Sequence, residues 1–185
     1  MKKLLLVAVM VLTSAMTFAQ QKEGSLTIQP KVGLNIASLT DFDDSDPRFG
    51  VVAGAEFMYQ ATDMVGLSFG ALYSMQGAKY DKSTTKLDYI NIPILANVYV
   101  APGFAVKLGL QPGFNVNSKF KTKINGNSLE ADTKTVDLSI PIGLSYEFNN
   151  FVIDGRYNWG VTKVAKHSDC KNSVFQITLG YKLPL

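Results

Sequence analysis

The sequence predicts an all-β protein, an eight-stranded antiparallel up-and-down transmembrane β-barrel, and three observations support this prediction. First, apolar and polar residues alternate in about eight segments between Ser25 and the last residue, and a period of two places the two kinds of side chain on opposite faces of a strand. Second, the chain begins with a segment typical of export. Third, the connections between the predicted strands alternate between long and short.

The N-terminal segment has the three-part layout of a secretory signal peptide. Lys2 and Lys3 precede the apolar run Leu4–Leu12, and small and polar residues then lead to Ala19. We expect cleavage after Ala19, which makes residues 1–19 a signal peptide and residues 20–185 one barrel domain. A retained membrane anchor is disfavoured, because a helix needs about 20 apolar residues to span a bilayer.

The composition excludes several classes of function. The net charge is +3, and two of the positive charges belong to the predicted signal peptide. This balance gives no basic patch of the kind that nucleic-acid binding needs. Cys170 is the only cysteine, so we expect neither a disulfide framework nor a cysteine-based zinc site. No second apolar run is long enough for a membrane helix, so any embedding in a membrane must use strands.

Eight segments alternate in the manner of strands, and polar or turn-forming residues separate them. The predicted strands are Ser25–Leu39, Phe49–Gln60, Met64–Lys79, Thr85–Val100, Phe104–Lys119, Thr133–Phe148, Phe151–Gly160 and Ser173–Leu183. The predicted long loops are Thr40–Arg48, Tyr80–Thr84, Phe120–Asp132 and Val161–Asn172. Outer-membrane barrels have short periplasmic turns and longer outside loops. An outer-membrane barrel with both termini in the periplasm therefore fits the pattern.

The size of the side chains predicts which face points outward. A soluble lipocalin-like barrel also alternates, but with its apolar side chains inside. The interior of an eight-stranded barrel is only just wide enough for its own side chains. The apolar face of this chain is bulky and rich in aromatic residues, whereas the opposite face is rich in Gly, Ser and Thr. We therefore expect the apolar face outside, in lipid, and the compact polar face inside.

The predicted interior carries charges of both signs. Buried charges must be paired and hydrogen-bonded to be tolerated, so we expect a charge network that plugs the lumen. Its predicted members are Lys31, Glu56, Asp88, Lys107, Asp137, Glu147, Asp154, Arg156 and Lys182. The fourth strand is irregular, since Asn91 and Asn97 share a face with Leu87, Tyr89 and Leu95. This irregularity suggests a β-bulge that shifts the register.

Four segments resemble the PorT-like family of small outer-membrane β-barrel proteins of Gram-negative bacteria. They are Lys31–Ser38, Phe49–Phe57, Lys86–Leu95, which resembles the family's Leu-Asp-Tyr-Ile-x-Ile-Pro strand, and Asp154–Val161, which resembles its Arg-Tyr-x-x-Gly-Leu strand. The resemblance covers essentially the whole chain after the signal peptide. It implies an eight-stranded barrel of the small OmpA and OmpX type. Some relatives are linked to a protein secretion and gliding apparatus, and the family has no catalytic motif to carry over.

Other clusters in the sequence favour solvated loops over binding sites. His167, Asp169 and Cys170 form a possible metal set within one loop, but structural metal sites usually draw on more than one cluster. A second set, of acidic residues, lacks the glycine and the distal glutamate of a calcium loop; it consists of Asp41, Asp43, Asp44 and Asp46. Loop lysines that could meet anionic sugars or lipid phosphates are Lys163, Lys166 and Lys171. No nucleophile and base can be assembled, so we expect no enzyme, metal or cofactor.

The sequence therefore leads us to expect a non-enzymatic integral outer-membrane protein with a plugged polar lumen. Its role would be structural, interactive or accessory to secretion. The expected partners are outer-membrane lipids, the barrel-insertion machinery, which reads the apolar alternation at the C-terminus, and secretion-complex proteins. The first alternative is a narrow porin-like channel for small solutes. A soluble periplasmic lipocalin-like carrier is the second alternative, and an enzyme acting on lipid is the last.

Overall fold

The described residues form strands and turns and no helix. The computed structural model describes residues 22–40, 46–80, 83–122, 128–130, 135–163 and 170–185. In these ranges no helix is long and apolar enough to cross a membrane. The strands are β1 (Leu26–Leu39), β2 (Asp46–Gln60), β3 (Val65–Tyr80), β4 (Ser83–Asn91), β5 (Ile94–Ala101), β6 (Phe104–Thr122), β7 (Ser128–Glu130), β8 (Val136–Phe148), β9 (Phe151–Gly160), β10 (Asn172–Tyr181) and β11 (Leu183–Pro184).

These strands form one closed antiparallel barrel of eight staves. Strands β4 and β5 follow each other along one stave, while β7 extends the edge of β6 and β11 extends β10. Antiparallel pairing of β1 with β10, from Lys31 opposite Gly180 to Leu39 opposite Asn172, closes the sheet. The predicted eight-stranded barrel is therefore confirmed, and closure leaves no free edge along the staves.

The two ends of the barrel differ. The turn end holds the connections at residues 61–64, 102–103 and 149–150, and it also brings the start of β1 next to Leu185, because the Leu185 amide donates to the Leu26 carbonyl. Asn149 has a φ of 53° and Gly103 a φ of 73°, the left-handed conformations that tight hairpin turns require. We call the opposite end the loop end.

Side chains alternate between the two surfaces along most of the wall. Along β9, Phe151, Ile153, Tyr157 and Trp159 are exposed, whereas the intervening residues are buried. Large apolar side chains are exposed in the same way around the whole circumference, and most buried side chains are polar or charged. A barrel that is apolar outside and polar inside is suited to a lipid bilayer. The predicted orientation of the two faces is therefore confirmed.

Several predicted strand limits at the loop end are wrong. Strand β2 begins at Asp46, inside the predicted loop Thr40–Arg48. Strands β3 and β4 pair as far as Tyr80 opposite Ser83, so residues 81–82 alone connect them and the predicted long loop is not there. Strand β6 continues to Thr122 and pairs with β7. Hydrogen-bond pairing continues at this end after the apolar alternation has stopped, so the alternation underestimates the strand lengths.

The fourth stave differs from the expectation in a second way. A register shift does occur, between Asp88 and Tyr89, but the unpaired residue is Val116 on the neighbouring β6. The five residues that share a face on this stave all lie buried in the interior, namely Leu87, Tyr89, Asn91, Leu95 and Asn97. Near the loop end, Leu87 and Tyr89 pack with Ala78 and Cys170. The lumen therefore contains an apolar layer, and Cys170 is buried in it although the sequence predicts a solvated loop.

Candidate functional site: the charged interior

Five charged side chains meet across the middle of the lumen, and we call them the central cluster. They are Lys31 of β1, Glu56 of β2, Lys107 of β6, and Asp154 and Arg156 of β9. Lys31 Nζ lies 2.7 Å from Glu56 Oε2, and Lys107 Nζ lies 2.5 Å from Asp154 Oδ2. Arg156 contacts both carboxylates, with Nη2 2.7 Å from Asp154 Oδ2 and Nη1 3.0 Å from Glu56 Oε1. Lys31 reaches Asp154 as well, at 3.8 Å.

Inward-facing glycines make room for these long side chains. Gly143 lies opposite Arg156 in the ladder, and a Cβ placed there would be 2.7 Å from the Arg156 Cβ. Gly70 lies opposite Glu56, and its Cβ would be 2.8 Å from the Glu56 Cγ. Contacts this short require the neighbour to move. The glycines on the polar face therefore provide the volume into which the charged side chains fold.

The central cluster is not electrically balanced. It contains three cations, Lys31, Lys107 and Arg156, and two carboxylates, Glu56 and Asp154. All five side chains are at most 5% exposed. Charges removed from water need counter-charges and hydrogen bonds, and removing one partner of such a set is costly. The two carboxylates therefore have a larger share in holding the cluster together than any single cation.

A second charged group closes the lumen near the turn end. Lys182 Nζ lies 2.5 Å from Glu147 Oε1, and the Tyr99 hydroxyl donates to the same oxygen at 2.7 Å. The Lys182 ammonium also donates to the Tyr99 hydroxyl at 3.3 Å. The Glu147 side chain is 13% exposed, whereas that of Lys182 is 3% exposed. This group therefore lies where the lumen begins to meet solvent.

Two acidic residues lie toward the loop end. Asp137 accepts hydrogen bonds from the Thr162 hydroxyl at 2.5 Å and from the Asn172 side-chain amide at 2.9 Å. Asp88 accepts a hydrogen bond from the Asn117 side-chain amide at 2.8 Å and interacts electrostatically with Arg48. Arg48 also donates to the Gln76 carbonyl. Neutral donors thus satisfy Asp137, in contrast to the carboxylates of the central cluster.

Comparison with known proteins agrees with this geometry. Residues 18–166 match the family described as outer membrane protein beta-barrel domain. The chain belongs to this family. No curated protein sequence matches the chain.

Solved structures of outer-membrane proteins share the fold of this outer-membrane barrel. The attachment invasion locus protein Ail of Yersinia pestis aligns with 16% identity and a TM-score of 0.53, over 88% of this chain and 100% of that one. The Neisserial surface protein A aligns with 18% identity and a TM-score of 0.57, over 87% of this chain and 100% of that one. At these identities the likeness shows the fold alone.

The structure buries the nine predicted charged residues of this outer-membrane barrel, but in separate groups and not all on the lumen face. Asp88 lies between the inward-facing Leu87 and Tyr89, and its carboxylate contacts the Tyr73 side chain, which is exposed on the outer face. Five form the central cluster, Glu147 and Lys182 pair near the turn end, and Asp88 and Asp137 lie nearer the loop end. Among the described residues, no ion pair of 4.0 Å or less joins one group to another. Alternation indicates which face a residue occupies, whereas its height along the barrel depends on the register.

Sequence reasoning missed two members of these groups. The sequence predicts a loop at Arg48, although this residue continues the inward-facing series of β2 that contains Val52 and Glu56. Tyr99 lies on the inward face of β5 and donates to Glu147. In both cases the even or odd position within the strand indicates that the side chain faces inward. An aromatic residue at a strand end is, however, more readily interpreted as part of an interfacial girdle.

The candidate loop sites fall mostly outside the described residues. This applies to Asp41, Asp43, Asp44, Lys166, His167 and Asp169. Lys163 is exposed and Lys171 is half-buried. Within the part of the chain that the structure describes, no three His, Cys, Asp or Glu side chains come together as a metal site would require.

Proposed function

We propose that this chain is an integral outer-membrane protein without enzymatic activity, and that its own side chains close its lumen. The central cluster is the observation that carries the proposal. Its side chains come from four strands and meet across the lumen in ion pairs of 2.5 to 3.8 Å. Because an eight-stranded barrel is only just wide enough for its own side chains, such a cluster leaves little cross-section for a solute.

Two further layers support a closed lumen. Lys182, Glu147 and Tyr99 cross-link the interior near the turn end. Leu87 and Tyr89 pack with Cys170 toward the loop end. A solute would have to displace an apolar layer and two charged layers in succession. A protein of this kind acts through its outer surface and its ends, in a structural role, in an interaction, or as an accessory to a secretion complex.

Conductance measurements test the closed lumen. We expect the wild-type protein to show no unitary conductance in planar lipid bilayers. A recording without conductance is informative only if the barrel has inserted into the bilayer. The matched comparison is therefore a double variant that should conduct once inserted, Glu56→Ala with Arg156→Ala. This variant removes three ion pairs from the centre, those of Glu56 with Lys31 and with Arg156 and that of Arg156 with Asp154, and should conduct. Steady conductance of the wild-type protein would contradict the closed lumen.

A narrow channel for small solutes is the second candidate, and one observation favours it. Both side-chain amide atoms of Asn158 and of Gln176 are buried without a hydrogen-bond partner in the described structure. Buried polar groups normally have a partner, so these amides suit contact with internal water. Under this alternative the wild-type protein conducts, and Arg156→Met changes its ion selectivity, because it removes a fixed positive charge from the pathway.

We also propose a finer relationship and a route to the membrane. The motifs at Leu87–Pro93 and Arg156–Gly160 support membership of the PorT-like group in a Gram-negative bacterium. The N-terminal segment supports export with cleavage after Ala19, which mass spectrometry of the mature protein checks by finding Gln20 as the first residue. Deletion of the gene followed by analysis of secreted proteins tests the secretion-accessory role. Unchanged secretion in the deletion strain would exclude it.

The proposed partners in assembly are outer-membrane lipids and the barrel-insertion machinery. The exposed apolar belt supports the lipid contact. Near the C-terminus, Leu179, Tyr181, Leu183 and Leu185 alternate on the outer face and are all exposed, which supports recognition of the last strand. A variant with Leu183→Ser and Leu185→Ser should accumulate outside the membrane fraction if this strand is the recognised signal. Normal insertion of that variant would contradict it.

A further inference from the structure

Prolines interrupt the hydrogen-bond ladder on neighbouring staves of one side of the barrel. Pro93 separates β4 from β5, and Pro112 lies in β6. The Gly70 amide donates to the Pro93 carbonyl at 3.2 Å, and the Ile92 amide donates to the Pro112 carbonyl at 2.8 Å. Residues paired in this way in an antiparallel ladder normally exchange two bonds. Proline has no N–H, so the carbonyls of Gly70 and Ile92 receive no ladder bond in return.

A third proline, Pro141 in β8, has the same effect on the next seam. Pairing of β6 with β8 stops at Leu108 opposite Ile142 and resumes at Gln111 opposite Ser139, so Gly109 faces Pro141 within the gap. The Asn115 amide of β6 donates to the carbonyl of Thr135, just before β8, and Gly109 is an odd-numbered residue in the same register, in which bonding positions recur at every second residue. Gly109 therefore occupies a bonding position, and its carbonyl lacks the donor that Pro141 cannot supply.

These three interruptions lie at membrane depth. The outward side chains beside them are apolar and exposed, at 56% for Phe69, 56% for Ile94 and 53% for Leu110. Lipid offers no donor for a backbone carbonyl, and irregular backbone at this depth is tolerated only where it is buried in protein or lines a water-filled cavity. The missing donors must therefore come from the lumen, where small or polar residues such as Ser68, Gln111 and Ser139 line the same stretch of wall.

On the opposite side of the barrel, the seams between β9 and β10 and between β1 and β2 are continuous, and we call these four strands the continuous wall; the seam between β1 and β10 is interrupted once, at Pro30 near the turn end. Strands β9 and β10 pair without a break from Ser173 opposite Trp159 to Tyr181 opposite Phe151. Strands β1 and β2 also pair without a break, from Leu26 to Ala37. Four of the five members of the central cluster belong to this side; only Lys107 belongs to the interrupted side. The plug is therefore attached mainly to the continuous wall, and one ion pair, Lys107 to Asp154, ties it to β6.

We infer that the wall formed by β3, β5, β6 and β8, which we call the proline seam, is a hydrated and deformable section that opens locally before the rest of the barrel. Opening there separates Lys107 from Asp154 while the remainder of the central cluster stays on the continuous wall. Regions of low local stability open independently of global unfolding. The proline seam thus gives a small closed barrel a section of wall, next to the central cluster, that can move.

Hydrogen exchange of the folded protein in lipid nanodiscs tests this inference. We expect the amides of residues 66–72 and 106–111 to exchange about tenfold faster than those of residues 31–36 and 152–158, because local opening sets the exchange rate. The triple variant Pro93→Ala, Pro112→Ala and Pro141→Ala restores three N–H donors and should slow exchange in the proline seam.

Pro30 supplies the matched control. It interrupts the pairing of β1 with β10 and β11 near the turn end, between Ile28 opposite Leu183 and Lys31 opposite Gly180. Pro30→Ala should leave exchange in the proline seam unchanged. Equal exchange rates on both sides of the wild-type barrel would overturn the inference. If the triple variant does not fold, the single variant Pro112→Ala, whose side chain lies on the outer face, should slow exchange at residues 90–95, and no slowing there would also overturn it.

Discussion

Replacing Glu56 by glutamine should destabilise the barrel more than replacing Arg156 by methionine. Glu56 is one of only two carboxylates that face three cations in the central cluster. In Glu56→Gln, three buried cations are left with the single carboxylate of Asp154. In Arg156→Met, two lysines are left with two carboxylates, so the charges balance. The difference follows from the unequal number of charges and not from the number of contacts, which is larger for Arg156.

The magnitude can be worked from these contacts. Glu56→Gln keeps the shape of the side chain but removes the charge that pairs with Lys31 at 2.7 Å and with Arg156 at 3.0 Å. Removing one partner of a buried ion pair costs about 3–5 kcal/mol. We expect Arg156→Met to lie at or below about 3 kcal/mol, the lower end of that range. For a domain of this size, about 1 kcal/mol lowers the melting temperature by roughly 2–4 °C.

The assay is thermal unfolding in detergent micelles, followed by the change in gel mobility between folded and unfolded barrel. The melting temperature of Glu56→Gln should fall by roughly 10 °C, from the magnitudes above. Glu23→Gln is the control, since Glu23 is exposed and surface substitutions usually change stability by no more than about 0.5 kcal/mol. A melting temperature of the Arg156→Met protein below that of the Glu56→Gln protein would refute the reasoning from charge balance.

Three further predictions concern the glycines, the lipid face and the turn end. Gly143→Ala should destabilise the barrel by about 1–3 kcal/mol in urea unfolding, because its Cβ would collide with Arg156 and overpacking costs about that much. Gly155→Ala should leave the stability unchanged, because its Cβ would meet nothing within 4 Å. Equal losses of stability in the two variants would contradict this reasoning. Leu110→Arg should weaken folding into liposomes by about 2–4 kcal/mol, the cost of arginine on the lipid face, and unchanged folding would mean that this face is not in lipid. Tyr99→Phe removes the hydroxyl that donates at 2.7 Å to the carboxylate near the turn end and should lower stability by about 1–3 kcal/mol, whereas an unchanged melting temperature would show that the donor is dispensable.

The strand count and the direction of the two faces could be predicted because both depend on local alternation. Along β9 each successive residue changes surface, so Asp154 and Arg156 must share the lumen face. Strand ends were predicted less well. Outside the lipid a polar residue is allowed on either face, so β6 can continue to Thr122 without any apolar alternation.

The arrangement of charges within the lumen could not be predicted, because it depends on contacts between distant parts of the chain. Arg156 meets Glu56 across 100 residues of sequence. Whether Lys182 joins the central cluster or pairs with Glu147 depends on the stagger of the staves, and alternation does not reveal that stagger. The apolar layer at Leu87 and Tyr89 could not be predicted either. On most of the other strands the apolar side chains face outward and the polar ones face the lumen, and these two residues depart from that pattern.

The gel mobility of the protein from an outer-membrane fraction, boiled against unboiled, tests the closed membrane barrel most directly. A closed barrel with its apolar face in lipid and a cross-linked polar interior stays folded in detergent until it is heated. We predict that the protein is recovered in the outer-membrane fraction and that its band shifts on boiling. Recovery in the soluble periplasm, or a band that does not respond to heat, would contradict it.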